Sequence, residues 1–363
     1  MRKFTLLMLM TSFAPVHAAE ATPEATHLFI SGQEGYKRYR IPSLLTTPKG
    51  TVLAICEGRK DGRGLTGNID LVLKRSTDSG KTWGPLEVIV DDGDFTLGNP
   101  CPVVDPKTGT LWLLFTRSVG VDLEEEIVAG TKAPTRVFVT FSTDDGKAWA
   151  KPRDITASVR RDDWTWYGTG PGVGIALKSG RLFIPSYHAE KGSKRYFSHS
   201  LFSDDGGKTW AIGASLDADT SEPQAAERAD GTLVLSARTM PPAGKKAGDP
   251  FHRTVALSED GGTTWQPATI APMLHDPSCQ ASLYRWPGEE KLWLYSHPMG
   301  PGRRDLTLQI SKDEGRTWAK SRLLRSGDAQ YSCLTKLPDS QVGCLYESWT
   351  NGNYQMDFTR FPK

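Results

Sequence analysis

The chain has 363 residues, of which 38% are hydrophobic, 24% charged and 9% aromatic. That mix excludes a disordered, collagen-like or polytopic membrane protein. Lys plus Arg number 44 against 42 Asp plus Glu, which excludes a nucleic-acid binder held by bulk charge, so any anion specificity must rest on a few placed cations.

In chain order, Met1–Ala18 reads as a secretory leader. Arg2 and Lys3 form the basic start, Phe4–Met10 is a short apolar run, and Val16-His17-Ala18 supplies small residues before a cut at Ala19. The apolar run is far below the ~18 residues of a membrane span, and no later segment is long and apolar enough to cross a bilayer. The expectation is an exported protein, periplasmic or secreted, with residues 19–363 as one domain.

From there a repeat organises the sequence. Ser-x-Asp-x-Gly-x-Thr-Trp occurs at Ser76–Trp83, Ser203–Trp210, Ser258–Trp265 and Ser311–Trp318, and Ser142–Trp149 is a fifth copy with Ala148 in place of Thr. The starts lie 66, 61, 55 and 53 residues apart. Asp and Gly build a tight turn, Gly permits positive φ, and Trp is expected to pack the turn onto its own sheet. Each copy follows an alternating apolar run, as in Ile69–Ser76 and Leu306–Ser311, so each marks a turn between two strands. A spacing near 59 residues suits a four-stranded antiparallel blade, and the 36 glycines and 24 prolines suit many turns. The expected fold is all-β, a six-bladed β-propeller. The turns are structural: Arg75 and Phe202 stand where a phosphate loop needs its first glycine. The five cysteines, Cys56, Cys101, Cys279, Cys333 and Cys344, follow no disulfide-scaffold or zinc spacing and read as small buried residues; a Cys333–Cys344 bridge between neighbouring strands stays open.

Tyr39-Arg40-Ile41-Pro42-Ser43-Leu44, together with the repeated turns, resembles the Arg-Ile-Pro motif and Asp-boxes of the exo-sialidases (neuraminidases) over essentially the whole chain after the leader. The resemblance implies a six-bladed propeller whose active site lies on its axial face. It also implies three arginines that seat a sialic acid carboxylate, a task suited to the planar, always-charged guanidinium. Arg40 matches the first by its context, Arg238 in Leu235-Ser236-Ala237-Arg238 the second, and Arg303 the third, with Arg304 as its rival. Tyr331 resembles the family's nucleophile and Glu222 its carboxylate partner; a neutral phenol avoids the repulsion that an anionic nucleophile would meet beside the substrate carboxylate. Read without the family, Tyr331 is a packed strand aromatic and Glu222 a solvated turn acid. Glu347 resembles the acid that holds the first arginine, and Arg59 a further pocket arginine that faces C4 substituents. Trp164–Gly172 resembles a loop forming apolar wall, though its aromatics read equally as packing for a glycine-rich segment.

One departure concerns the acid that protonates the leaving oxygen. The family's Asp is expected at Leu65, and leucine transfers no proton. Three readings stay open: a nearby carboxylate substitutes, with Asp61 ahead of Asp70; the enzyme is slow or limited to good leaving groups; or the protein binds sialic acid without cleaving it. A hydrolase of a related acidic sugar is a further alternative. The leading expectation is a retaining exo-α-sialidase acting on sialylated glycans or glycoproteins, with no metal or organic cofactor, no nucleic acid and no membrane span.

Overall fold

In the computed structural model, residues 22–61, 64, 66–193, 195–217, 219–240, 251–350 and 352–363 are described. Leader residues 1–18 and Leu65 lie outside them.

Alternation of apolar and polar residues, punctuated by glycine turns, gives an all-β chain with two short helices, Glu124–Val128 and Thr156–Val159, among the described residues. The strands pair as antiparallel groups of four. The first unit joins Arg38–Thr46, Val52–Arg59, Ile69–Ser76 and Glu87–Val90. Phe95–Val104, Leu111–Val119, Arg136–Ser142 and Arg153–Asp154 form the second. In the third, Trp164–Thr169, Leu182–Glu190, Tyr196–Ser203 and Ala211–Ser215 pair in turn, with Ile175–Ala176 beside Leu182–Glu190. The fourth contains Thr220–Glu227, Leu233–Thr239, Phe251–Ser258 and Thr269–Asp276. Ser282–Arg285, Trp293–Gly300 and Arg304–Ser311 make the fifth with the start of the long strand Ala319–Lys336. That strand passes into the sixth unit between Asp328, paired with Arg304, and Ala329, paired with Ser348. Val342–Thr350, Asn353–Phe361 and, from the other end of the sequence, Ala25–Ile30 complete it.

The leading strands of the first three units touch in order, Thr220–Glu227 meets Leu182–Glu190 and Tyr196–Ser203 of the third unit and then Ser282–Arg285, and the long strand packs back onto Arg38–Thr46. Polar side chains stitch these contacts. Ser43 donates to the Pro100 carbonyl at 2.8 Å, Thr169 to the Asn99 carbonyl at 2.6 Å and Gln224 to the Pro171 carbonyl at 2.9 Å; Ser332 N–H donates to Gln280 at 3.0 Å. The Asn99, Pro100 and Ser332 backbone groups are ones that strand bulges have freed, and the Pro171 carbonyl lies in the turn after Trp164–Thr169. The core lies between units: Val52–Arg59 is buried along its whole length, and one apolar cluster draws Leu44, Ala54 and Val72 from the first unit and Leu345 and Phe358 from the sixth.

The repeated turns join the third and fourth strands of their units. In the first copy Ser76 Oγ donates to Asp78 at 2.8 Å and accepts from Gly80 N–H at 2.9 Å, while Thr82 donates to Asp78 through its amide at 2.9 Å and its hydroxyl at 2.6 Å. The tryptophans differ from the sequence expectation. Trp83 stands edge-on to Phe358 at 5.0 Å, Trp210 to Trp112 at 6.3 Å and Trp265 to Phe183 at 6.4 Å, each ring lying in the preceding unit. Units buried on both faces press against each other, so the indole fills the seam between them rather than its own sheet. Only Trp318, of these four, meets an aromatic of its own unit, Tyr295 at 5.5 Å.

These turns carry a pH signature. The Thr82 hydroxyl first, then its amide and Ser76, hold Asp78 down at about 2; Thr317 does the same for Asp313, also at about 2. A folded-state value below the ~3.9 of an unfolded Asp gives stability that is present above that pH and lost as pH falls through about 2. Denaturation midpoints measured from pH 5 to 2 should therefore fall less steeply in Asp78→Asn/Asp313→Asn than in the parent, and parallel curves would contradict this assignment.

Cys333 pairs with Leu345 and Leu334 with Cys344, so the two thiols sit one register step apart on opposite faces of the sheet. The open bridge is not formed, and all five cysteines are free and buried.

Candidate active site

The leading strands share an irregularity. Ile41, Asn99 and Glu222 take positive φ of 64°, 54° and 38°, and Ser278, in the connection ahead of Ser282–Arg285, takes 55°. Register breaks between Arg40 and Ser43, Gly98 and Cys101, Ser221 and Gln224, and Ala329 and Ser332 accompany them. A β-branched Ile in that region is strained, and such residues persist where surroundings over-determine them. Here each bulge re-aims a side chain into one cavity. Its volume is about 290 Å³, and Arg40, Arg59, Glu222, Arg238, Arg303 and Tyr331 all line it.

The Tyr331 hydroxyl donates to Glu222 Oε1. Arg238 Nη1 donates to Glu222 Oε2 at 2.7 Å and to the Tyr331 oxygen at 3.3 Å. Arg40 and Arg303 flank the phenol ring, their guanidinium carbons 5.2 and 5.5 Å from its centroid. Two residues that the sequence did not single out tie the arginines together. Gln330 Oε1 accepts from Arg303 at 3.0 Å and from Arg40 at 3.4 Å. Ser278 accepts from Arg238 at its hydroxyl, at 3.1 and 3.2 Å, and from Arg303 at its carbonyl, at 2.7 Å. Buried Arg253 braces the bulge from behind, donating to the Glu222 carbonyl at 3.3 Å and the Cys279 carbonyl at 2.8 Å.

Glu347, fully buried, lies behind Arg40. It accepts from Arg40 Nε at 3.1 Å, Nη2 at 2.8 Å and the strained Ile41 N–H at 2.8 Å. Arg59 is held by Glu57 at 2.6 and 3.1 Å, and Glu57 also accepts the Asn99 N–H at 3.0 Å. Arg304 lies outside, exposed and paired with Asp328 at 2.9 Å, which removes it as a rival to Arg303.

Burial pushes the Glu222 carboxyl up, but the Arg238 guanidinium, the Tyr331 hydroxyl and Arg303 outweigh it and hold the group below the ordinary carboxylate range. Burial and the Glu222 charge push the Tyr331 phenol well up, against the three arginines. The pair thus rests as carboxylate and neutral phenol. Burial lowers Arg40 and Glu347 raises it; the raising wins, and Arg40 stays charged.

Two further sequence expectations meet the geometry differently. Asp61 does not line the cavity; its carboxyl lies against Gly67, where an added Cβ would come within 2.3 Å of it. Asp70 is buried, accepts from Tyr36 at 2.6 Å and pairs with Lys60 at 2.8 Å, a structural task. Residues Trp164–Thr169 form a strand rather than a loop, and only Trp166 and not Trp164 lines the cavity; Trp164 is buried and stacked on His188 at 3.5 Å. Glu124, Tyr187 and Tyr196, also on the wall, carried no sequence signal beyond the Glu124–Glu126 run. The Tyr196 hydroxyl donates to Glu124 at 2.7 Å, and burial raises the Glu124 carboxyl. No group of three or more potential metal ligands occurs among the described residues.

An all-β chain with five Asp-turns and a carboxylate–phenol pair ringed by arginines defines the class of the protein as a β-sheet domain with an arginine-lined cavity. A BNR repeat-like domain model matches residues 50–344. The chain is 33% identical over 353 residues to a sialidase of Micromonospora viridifaciens, covering 90% of this chain and 52% of that relative. It is 30% identical to sialidase-3 of Mus musculus, covering 92% of this chain and 93% of that one. The structure of the Hadza microbial sialidase Hz136 superimposes with a TM-score of 0.82 at 31% identity, covering 93% of this chain and 68% of that one. This chain belongs to the sialidase family with BNR repeats. It spans about half the length of its Micromonospora relative.

Proposed function

We propose that the protein is an exported exo-α-sialidase that removes terminal sialic acid from glycans with retention, and that its six units are blades of a propeller around this cavity. The observation that carries the reading is the Tyr331–Glu222 hydrogen bond set beneath Arg40, Arg238 and Arg303. The arginines take the substrate carboxylate. Tyr331 oxygen then attacks the anomeric carbon while its proton passes to Glu222, and the bond to the leaving oxygen breaks. Water then attacks the anomeric carbon of the resulting tyrosyl ketoside, its proton passing to Asp61, while the bond to the Tyr331 oxygen breaks and Glu222 returns the phenol proton. Glu347 positions Arg40, and Arg59 faces the far side of the sugar. Asp61 is the proposed proton donor to the leaving oxygen, a role that requires its carboxyl to turn away from Gly67.

That orientation of Asp61, with leucine at position 65, favours a second reading: a sialoside-binding protein with weak turnover. General acid help is worth roughly 10²–10⁴-fold, so the two readings separate by leaving group. Turnover should be measured on an aryl sialoside, whose phenolate leaves unaided, and on sialyl-lactose, whose alcohol needs a proton. Cleavage of both, with sialyl-lactose lost selectively in Asp61→Asn, is the expected result. Cleavage of the aryl compound alone would move the conclusion to an enzyme lacking its acid. Binding with no product from either would establish the second reading.

A further inference from the structure

Beyond the arginines, the sixth unit carries the wall of the site outward. Glu347 and Trp349 are two residues apart on Val342–Thr350, so they share a face of the sheet. Their cross-strand partners are Met356 and Tyr354. Arg38 and Arg40 are likewise two apart on the facing strand. The contacts repeat with that period. Glu347 grips Arg40, and one step farther out Tyr354 lies 5.0 Å from the Arg38 guanidinium and 5.8 Å from that of Arg40. Trp349 stands edge-on to Tyr354 at 4.5 Å. The Tyr354 ring is fixed at its other end, where its hydroxyl accepts from Gln330 at 3.2 Å. Gln330 precedes Tyr331 and joins Arg40 to Arg303.

Trp349 is 39% exposed, although its strand is buried from Val342 through Ser348. It is the one large apolar side chain left open on this wall among the described residues. Moving from Ser43 and Leu44, buried beneath the cavity, through Arg40 to Arg38 leads outward, so Trp349 lies on the side from which the rest of a glycan must enter. We infer that Trp349, held by Tyr354, whose ring Arg38 overlies, is a subsite for the pyranose attached to the departing oxygen. The C–H face of a pyranose is apolar and matches the face of an indole, while its hydroxyls suit the guanidinium rim. The inference rests on the sialidase reading and adds a specificity determinant to the same site.

The test compares two ligands that share sialic acid and differ in what is attached to it, methyl α-sialoside and sialyl-lactose, with the parent protein, Trp349→Ala and Trp349→Phe. For Trp349→Ala, kcat/KM on sialyl-lactose should fall roughly tenfold, mainly through KM, while the methyl sialoside changes less than about twofold. Trp349→Phe should recover most of the loss. An equal loss on both ligands, or none on either, overturns the inference and leaves the sialidase reading standing. If the parent cleaves neither, an aryl sialoside decides whether the sialidase reading stands, and the same comparison is made by calorimetric Kd: a selective loss of sialyl-lactose affinity in Trp349→Ala supports the subsite, and any other result overturns it.

Discussion

Tyr331→Phe should abolish turnover of every sialoside while leaving sialoside binding and the fold intact. The substitution removes one oxygen. The ring keeps its place between the Arg40 and Arg303 guanidinium groups, 5.2 and 5.5 Å away, so the packing is retained. What goes is the hydroxyl that donates to Glu222 and accepts from Arg238. With no phenol there is no atom placed to attack the anomeric carbon, and a water in its stead lacks the fixed geometry of a covalently held nucleophile. A fall in kcat of roughly 10³-fold or more is expected, with Kd for sialic acid within a few-fold of the parent by calorimetry. Turnover within tenfold of the parent would remove Tyr331 from the mechanism. A comparable collapse in Kd would instead make it a ligand-binding group.

Glu347→Gln is expected to damage both stability and activity, through Arg40. Glu347 is fully buried and Arg40 only 11% exposed, and their carboxylate–guanidinium contact is 2.8 Å. Removing the charge of one member of a buried pair leaves the other uncompensated, which costs about 3 kcal/mol. Glutamine is nearly isosteric, so no cavity is opened and the loss reports charge. One Glu347 oxygen also accepts the Ile41 N–H, and that bond helps fix a β-branched residue at φ 64°. A side-chain amide presents one acceptor atom where the carboxylate presents two, so it cannot meet Arg40 Nε, Arg40 Nη2 and Ile41 N–H together. With Arg40 released, misplacement of the cation by about 1 Å should lower kcat/KM by roughly 10²-fold. Chemical denaturation and steady-state kinetics read the two effects. An unchanged denaturation midpoint would mean that water already reaches this pair.

Much of the site was legible because its residues lie in local contexts that announce themselves. Arg40 sits in Arg-Ile-Pro, Arg238 ends an apolar strand, and Tyr331 and Glu222 stand in short recognisable segments; the structure brings all four to one cavity. Gln330 and Ser278 were not legible, because each acts by accepting from arginines far away in sequence, and nothing in Ala329-Gln330-Tyr331 or Pro277-Ser278-Cys279 marks an acceptor for a distant guanidinium. Glu124 reaches the wall from a five-residue helix between two strands of the second unit, a position that no periodicity reveals. Arg303 and Arg304 are adjacent and chemically equal in sequence. Only the turn before Arg304–Ser311 decides that the first enters the cavity while the second pairs with Asp328 in solvent.

By itself the sequence determined the all-β character, through alternation and five Asp-turns whose hydrogen bonds close within eight residues of chain. It determined the chemistry lining the cavity as well, since guanidinium, carboxylate and phenol are properties of residues. Tertiary structure alone decided which faces meet. The tryptophans of three Asp-turns were drawn to the preceding unit because strands buried on both sides leave their seams at the unit boundaries. Cys333 and Cys344 were parted by a single register step. Asp61, adjacent in sequence to the arginine cluster's neighbour Lys60, was turned toward Gly67. A hydrogen bond within a turn is fixed by a few dihedral angles, whereas the direction of a side chain across a seam depends on the register and bulges of two strands far apart in sequence, 307 residues for Arg40 and Glu347.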